Sequence, residues 1–177
     1  MSDLTAIDWK RDGVKVRVVV ETPRGSRSKY AYDRESKALG LHFMLARGLS
    51  WPYDFGFVPQ TLCDDGDPAD MLLITEEPVT ALATVQARLI GGFEMTEDGK
   101  RNDRLVACPL PVTGIALTTD RYHTIDDLPA EDIAQIEEFL VHYSQEQGHE
   151  VKVLRRYGPD EAKRNIKEWH QRWKKDH

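Results

Sequence analysis

Residues 54–74 read DFGFVPQTLCDDGDPADMLLI, two short apolar runs separated by an acidic turn. The runs at 55–58 and 71–74 have the length of strands, and the proline and glycine residues between them interrupt any helix. Other strand-like runs occur at 14–20, 29–32, 84–90 and 105–108, with turn residues at short intervals between them. This spacing favours an antiparallel barrel or sandwich over a fold built of βαβ units.

Two helices are predicted in the last third of the chain. Apolar residues recur at helical spacing from Ile133 to Tyr143, and Gly148 then closes the first helix. A strand is predicted at 150–154, and a second helix begins near Pro159. One face of that helix carries Ala162, Ile166, Trp169 and Trp173. The prediction is therefore an α+β fold, a mainly antiparallel OB-like β-barrel with two C-terminal helices packed on it, in one domain covering 1–177.

Composition excludes several classes of protein. The 177 residues are 40% hydrophobic and 31% charged, which is typical of a globular domain. We expect a cytoplasmic protein with no membrane partner, because no apolar run approaches the ~20 residues that span a bilayer and no secretion signal precedes the domain. A net charge of −6 argues against a nucleic-acid partner. Cys63 and Cys108 are interpreted as reduced thiols, with a disulfide as the alternative.

The acidic turn at 64–70 holds four aspartates within seven residues. So many carboxylates in one bend repel each other unless cations lie among them, and such oxygen ligands suit Mg²⁺, Mn²⁺ or Ca²⁺. An EF-hand is excluded because Asp70 occupies the sixth position counted from Asp65, where that loop needs glycine. An ordinary surface turn is the alternative. The apolar run at 71–74 favours a metal site, because a buried strand would hold Asp70 rigidly.

Further short segments follow one another in a specific order. They are VVVETP, KY, WPYDFGFVPQT, DGDPAD, MTEDG…RLVACP, EFLVHY and EVKVL, between Val16 and Val153. In this order and spacing the chain resembles the family I inorganic pyrophosphatases. The resemblance implies a pyrophosphatase-like domain that hydrolyses pyrophosphate to two phosphates with a metal-activated water. It also implies Mg²⁺, or Mn²⁺ in its place, as cofactor, and a homo-oligomer, commonly a hexamer in bacterial members.

The resemblance assigns roles to residues position by position. The positions that agree with the family are Asp65 and Asp70 for metal binding, Glu21 beside the metals, Asp67 for the proton of the attacking water, and Lys29 and Tyr143 for phosphate.

Other positions depart from the family pattern but keep part of its chemistry. Glu97 replaces an aspartate and so reaches further as a metal ligand. At the family's next aspartate and lysine the chain reads Asn102-Asp103-Arg104, so either Asn102 or Asp103 faces the metal. Arg104 keeps the charge of the lysine but not its shape. His42 stands in place of an arginine and binds phosphate when it is protonated.

Three positions lose a polar or charged group outright. Phe55 lacks a tyrosine hydroxyl, Ser144 replaces a lysine, and Ala31 replaces a glutamate. Each lost charge-assisted contact costs ~1.5–3 kcal/mol if nothing replaces it. Candidates to resupply positive charge are Arg24, Arg27, Arg47 and Arg101, each of which reads equally well as a surface charge.

The thinned phosphate site leaves alternatives to pyrophosphate hydrolysis open. One is a related hydrolase of another phosphoanhydride or of a phosphate ester. Another is a catalytically weak homologue that binds metal or pyrophosphate. An OB-like nucleic-acid module is disfavoured by the acidic loop and by the net charge.

Overall fold

The computed structural model describes residues 3–112 and 117–177. Two helices, α1 (Ala130–Glu146) and α2 (Pro159–Asp176), lie in the C-terminal third, and short 3₁₀ turns occur at Leu4–Ala6, Thr118–Arg121 and Ile125–Asp127. The strands of this described part are β1 (Lys15–Thr22), β2 (Ser28–Asp33), β3 (Ala38–Met44), β4 (Asp54–Val58), β5 (Ala69–Leu73), β6 (Thr84–Glu97), β7 (Lys100–Arg101), β8 (Arg104–Pro109) and β9 (Val151–Tyr157).

Five of the strands close into a barrel. They follow one another in the order β1, β4, β5, β8, β6, and β6 pairs back onto β1. Every neighbouring pair around the barrel is antiparallel except β5 and β8, which are parallel. The predicted α+β, OB-like barrel with two C-terminal helices is confirmed, and the one parallel pair makes the barrel mixed.

Two glycines let strands approach more closely than side chains would allow. A Cβ added to Gly56 in β4 would lie 1.9 Å from the carbonyl oxygen of Val19 in β1. In β6, a Cβ on Gly91 would lie 2.2 Å from the carbonyl oxygen of Tyr157 in β9. Because these contacts are with backbone, a larger residue at either position would push the paired strands apart.

The buried residues form two clusters on either side of the barrel wall. The valines at alternate positions of β1 point into one cluster, which α2 covers with Ile166 and Trp169. The other lies beneath α1 and contains Trp51, Phe55 and Ile136. This two-sided burial follows from the alternation of side chains along a strand, and it places the ends of both helices beside the β4–β5 loop.

Some elements differ from the prediction. The strand β3 was missed because most of its side chains are exposed, so it carries no alternating apolar pattern. It forms because it pairs with β2 along its whole length. The strand predicted at 84–90 continues to Glu97 and turns into β7, so the charged segment there is a hairpin. Cys63 and Cys108 are free thiols, as predicted. Within the described part of the chain, we find no helix with the length and apolar character of a membrane span.

Candidate active site

The acidic loop between β4 and β5 is tied down at its base. The Thr61 hydroxyl donates to the Val58 carbonyl oxygen at 2.6 Å and accepts from the Ala69 N–H at 2.8 Å. Inside the loop, the Asp67 N–H donates to the carboxylate of Asp65 at 3.0 Å, and the glycine between them has φ of +93°. The loop is thus a defined turn that presents its carboxylates from a fixed position on the barrel.

These carboxylates face a cavity of about 490 Å³. Its walls come from β1, from the β2–β3 hairpin, from the acidic loop, from the segment that leads into β8, and from the C-terminal ends of α1 and α2. Every site residue assigned from the sequence lines this cavity except Asp103. The assigned residues that line it are Glu21, Lys29, His42, Asp65, Asp67, Asp70, Glu97, Asn102, Arg104 and Tyr143.

The loop carboxylates are electrostatically unfavourable as they stand. Burial is the largest cause that raises the pKa of Asp65 and of Asp67, and the negative charge of Asp70 raises both further. The positive charges of Lys29 and His42 oppose the rise in the pKa of Asp67. The acidic wall therefore carries more negative charge than the neighbouring side chains compensate.

Glu21 is the most strongly affected carboxylate of the site. It lies at the end of β1 with only 8% of its surface exposed. Burial raises its pKa to about 7, although the Tyr32 N–H donates to it at 2.6 Å and opposes the rise. The charges of Asp70 and Asp67 also raise the pKa of Glu21. Near neutral pH this carboxyl is therefore only partly ionised unless a cation joins it.

The donor set fits a divalent cation with a preference for oxygen. Carboxylates and one amide share a cavity in which their negative charge is raised in energy, and Mg²⁺ or Mn²⁺ relieves such repulsion. In the described residues, no three acidic, histidine or cysteine side chains stand close enough to form a ready-made metal cluster. Mutual repulsion between carboxylates accounts for that spacing.

Arg104 connects the acidic loop to the neighbouring strand. It begins β8, which runs parallel to β5 with Met71 opposite Leu105, so Arg104 lies beside Asp70. The two side chains form an ion pair at 2.9 Å, and Arg104 is almost fully buried. Its guanidinium also donates to the side-chain oxygen of Asn102. Arg104 thus compensates part of the charge of the loop and keeps Asn102 beside it.

Asn102 and Asp103 point to different surroundings. The Asn102 amide lies in the cavity lining and donates to Glu97 at 3.4 Å. Asp103 is buried outside the cavity, where Arg101 donates two hydrogen bonds to it at 2.9 and 2.7 Å and the Tyr157 hydroxyl donates a third at 2.8 Å. Successive residues of extended chain face opposite sides, which separates Asp103 from Asn102.

The cationic wall lies on the β2–β3 hairpin and α1. Lys29 projects from β2 and His42 from β3, and Tyr143 comes from the last turns of α1. Their influence on the pKa of Asp67 shows that Lys29 and His42 face the acidic loop across the cavity. The cavity therefore combines oxygen donors for cations with N–H and O–H donors for an anion.

A protein-family model described as inorganic pyrophosphatase matches residues 18–174. The chain belongs to the inorganic pyrophosphatase family. An inorganic pyrophosphatase of Neisseria meningitidis serogroup B is 35% identical over 165 residues, which are 93% of this chain and 92% of the relative. An inorganic pyrophosphatase of Aquifex pyrophilus is 35% identical over 161 residues, 90% of each chain.

Solved inorganic pyrophosphatases share the fold. The crystal structure of the Neisseria gonorrhoeae protein aligns with a TM-score of 0.88 at 35% identity, over 97% of this chain and 99% of that one. The Thermus thermophilus structure aligns with a TM-score of 0.88 at 26% identity, over 98% and 99%. Inorganic pyrophosphatases are generally metal-dependent, in agreement with the donor set of the cavity.

Within this pyrophosphatase fold, several lining residues escaped the sequence analysis. His149 lines the cavity, and its Nδ1 lies 2.7 Å from a carboxylate oxygen of Asp98, a contact that raises the pKa of His149. Trp173, interpreted from the sequence as core or an oligomer contact, is half-buried at the rim and stacks on His177 with ring centroids 4.6 Å apart. No short-range pattern marks these residues, because they reach the cavity only through the packing of the helix ends.

The arginines considered as replacements for lost phosphate ligands lie elsewhere. Arg24 donates to the carbonyl oxygens of Thr75 and Glu76, and Arg27 donates to the carbonyl oxygen of Leu45. Arg101 is engaged with Asp103. Together with Arg47, they are absent from the lining of the cavity, whereas Arg34 contributes to it.

Proposed function

We propose that this chain hydrolyses inorganic pyrophosphate to two phosphates in the presence of Mg²⁺, with Mn²⁺ able to replace it. The observation that carries the proposal is one cavity with an acidic wall and a cationic wall, in a chain of the inorganic pyrophosphatase family. Pyrophosphate with bound divalent cations needs both walls at once, one for the metals and one for the phosphate oxygens.

We assign metal binding to the acidic wall. The residues that would hold the cations are Asp65, Asp70, Glu97, Asn102 and Glu21. We prefer Asn102 to Asp103 because the Asp103 carboxylate is engaged with Arg101 and Tyr157. A divalent cation, when bound, supplies charge for phosphate oxygens and lowers the pKa of water.

Asp67 is the proposed general base. It lies in the loop between the two aspartates assigned to metal, and burial beside Asp70 raises its pKa. A base with a raised pKa accepts a proton from water more readily than an ordinary aspartate does. Asp67 would take the proton of the attacking water while the cationic wall holds the substrate.

Four side chains are proposed to bind phosphate oxygens. Lys29 and Arg104 carry fixed positive charges, Tyr143 brings a hydroxyl, and His42 adds a charge when it is protonated. The charge of Arg104 is shared with Asp70, at 2.9 Å. Substrate binding at the cationic wall therefore depends strongly on Lys29.

Phosphate release from pyrophosphate, with Mg²⁺ or Mn²⁺ and with a chelator, tests this function. We expect release with either metal and none with the chelator. Asp67→Asn should lower kcat by about 10²- to 10⁴-fold, the usual contribution of a positioned base. Asp64→Asn is the matched control, because Asp64 belongs to the same loop but pairs with Arg172 outside the cavity lining. Equal rates for the two variants would contradict the role of Asp67, and no release with either metal would contradict the function.

The remaining assignments concern the state of the protein in the cell. We propose one pyrophosphatase domain over residues 1–177 in a cytoplasmic homo-oligomer, a hexamer by family resemblance, without nucleic-acid or membrane partners. Leu41 and Met44 on β3 are 60% and 48% exposed, which suits burial against another copy. Light scattering of the purified chain measures the assembly, and a monomer at micromolar concentration would contradict it.

A further inference from the structure

Three fixed positive charges line the cavity, and they are held in different ways. Arg104 is paired with Asp70 at 2.9 Å, and Arg34 is paired with Asp3 at 3.2 Å. Lys29 forms no ion pair with any residue in the ranges 3–112 and 117–177. It is therefore the fixed charge of this wall that the described carboxylates leave unneutralised.

Aromatic rings hold Lys29 instead. Its Nζ lies 5.1 Å from the centroid of the Phe55 ring and 5.1 Å from the centroid of the Tyr143 ring. Both distances fall within the ~6 Å range in which the negative face of a ring attracts a cation. Phe55 belongs to β4 and Tyr143 to α1, so the ammonium group is held by two separate elements of the fold.

The two rings are themselves fixed by a buried aromatic cluster. Trp51 packs against both, with ring centroids 4.9 Å from Phe55 and 4.9 Å from Tyr143. Phe139 stacks parallel to Tyr143 at 6.0 Å, and Phe43 meets it edge-on at 5.9 Å. Because these neighbours prevent rotation, neither ring can turn away from Lys29 without disturbing the core beneath α1.

We infer that Phe55 is a positioning residue for substrate binding, which holds the Lys29 ammonium between its own ring and that of Tyr143. The inference rests on the proposed function in taking the bound anion to be pyrophosphate or its product phosphate. Phe55 lacks the hydroxyl that the family resemblance would place there, so it acts through Lys29 and makes no hydrogen bond of its own.

An aromatic partner suits this task better than a carboxylate would. A lysine side chain has many rotamers, and restricting them before the substrate arrives lowers the entropy cost of binding. A carboxylate partner would occupy N–H donors of the ammonium and cancel its charge. Ring faces occupy no donor, so the three N–H groups of Lys29 stay available for phosphate oxygens.

Phe55→Leu tests the inference in the full-length protein. Phe57→Leu is the matched control, because Phe57 is a buried cavity-lining phenylalanine of the same strand that stacks on Tyr32 and contacts no cation. The first measurement is the NMR signal of the Lys29 ε-methylene group in protein with ¹³C-labelled lysine, assigned with Lys29→Arg. Ring faces shift this signal upfield, so it reports the position of Lys29 without reference to activity.

We expect the Lys29 signal to move towards the free-lysine position in Phe55→Leu and to stay in place in Phe57→Leu. The KM for pyrophosphate and the Kd for inorganic phosphate should rise by about 2- to 30-fold in Phe55→Leu, the range of one cation–π contact. The kcat at saturation should change less than KM. Phe55→Tyr keeps the ring and should restore both the signal and the affinity.

Two results would overturn the inference. One is an unchanged Lys29 signal in Phe55→Leu, and the other is a shifted signal with unchanged phosphate affinity. Phe55→Met, closer in volume, replaces Phe55→Leu if leucine leaves the chain unfolded. Because the NMR signal and phosphate binding need no turnover, they remain decisive if the wild-type chain releases no phosphate from pyrophosphate. That last result would instead count against the proposed function.

Discussion

Glu21→Gln should change how the stability of the metal-free protein depends on pH. The folded protein holds the pKa of Glu21 at about 7, against an ordinary value of 4.5, because the carboxyl is buried and faces Asp70. The unfolded chain therefore releases the proton at lower pH than the folded chain does. Stability from this group is fully present below the unfolded pKa and is lost as pH rises through the folded pKa.

The size of the effect follows from the two pKa values. Between about pH 5 and pH 8, the shift from 4.5 to about 7 removes about 2.5 kcal/mol from the free energy of unfolding. Glutamine cannot ionise, yet its side-chain oxygen can still accept the Tyr32 N–H that Glu21 accepts at 2.6 Å. The variant should therefore lose about 2.5 kcal/mol less than the wild type over this pH interval.

Urea unfolding in the presence of EDTA, at the two pH values and for both proteins, measures this difference. A matched control is Asp33→Asn, since Asp33 is exposed and its pKa is lowered by hydrogen bonds from Ser36 and Glu35. If Glu21→Gln loses as much stability as the wild type between the two pH values, the buried protonated carboxyl is refuted. Saturating Mg²⁺ should reduce the difference, because a bound cation favours the ionised carboxylate.

The other predictions concern neighbouring polar groups. Asp54→Ala should lower the free energy of unfolding by about 3 kcal/mol or more in urea, because the fully buried carboxylate accepts the Thr75 hydroxyl at 2.6 Å and two backbone N–H groups; a loss below about 1 kcal/mol would contradict this. Asp103→Asn should cost about 1–3 kcal/mol, since it weakens the bond to the half-exposed Arg101, and should leave the half-saturating Mg²⁺ concentration unchanged. Asn102→Asp should lower that concentration by roughly 3- to 30-fold in activity titrations, because ligand charge strengthens binding; the reverse pattern for these two variants would assign the metal to Asp103.

The sequence predicted those parts of the fold in which burial leaves a periodic pattern. The alternating valines of β1 and the apolar face of α1 read directly as a strand and a helix, because each buries one side. The strand β3 could not be read in this way. Its side chains are mostly exposed, and it owes its existence to hydrogen bonds with β2 that no local pattern records.

The site divides in the same manner. Asp65, Asp67 and Asp70 could be located because they lie in one turn with a family-specific spacing. His149 and Trp173 reach the cavity from helix ends that tertiary packing brings together, so local sequence could not reveal them. The choice between Asn102 and Asp103 was open to a physical argument, because alternation in extended chain puts Asn102 on the side of Arg104 and Asp103 on the other.

The loss of phosphate ligands also has a structural counterpart. Ser144 and Ala31 bring no positive charge, and the arginines proposed to replace the lost charges are engaged elsewhere. The cationic wall relies on Lys29, with Arg104 shared with Asp70. Affinity for pyrophosphate should therefore respond more sharply to changes around Lys29 than to changes at any exposed arginine.

The most direct test of pyrophosphate hydrolysis is kcat/KM for pyrophosphate with Mg²⁺, measured beside ATP and p-nitrophenyl phosphate under the same conditions. We predict that kcat/KM for pyrophosphate exceeds the other two by at least about 100-fold, because the cavity grips both phosphates of the small anion in the transition state. An equal or higher kcat/KM for ATP or for the ester would contradict pyrophosphate as the substrate.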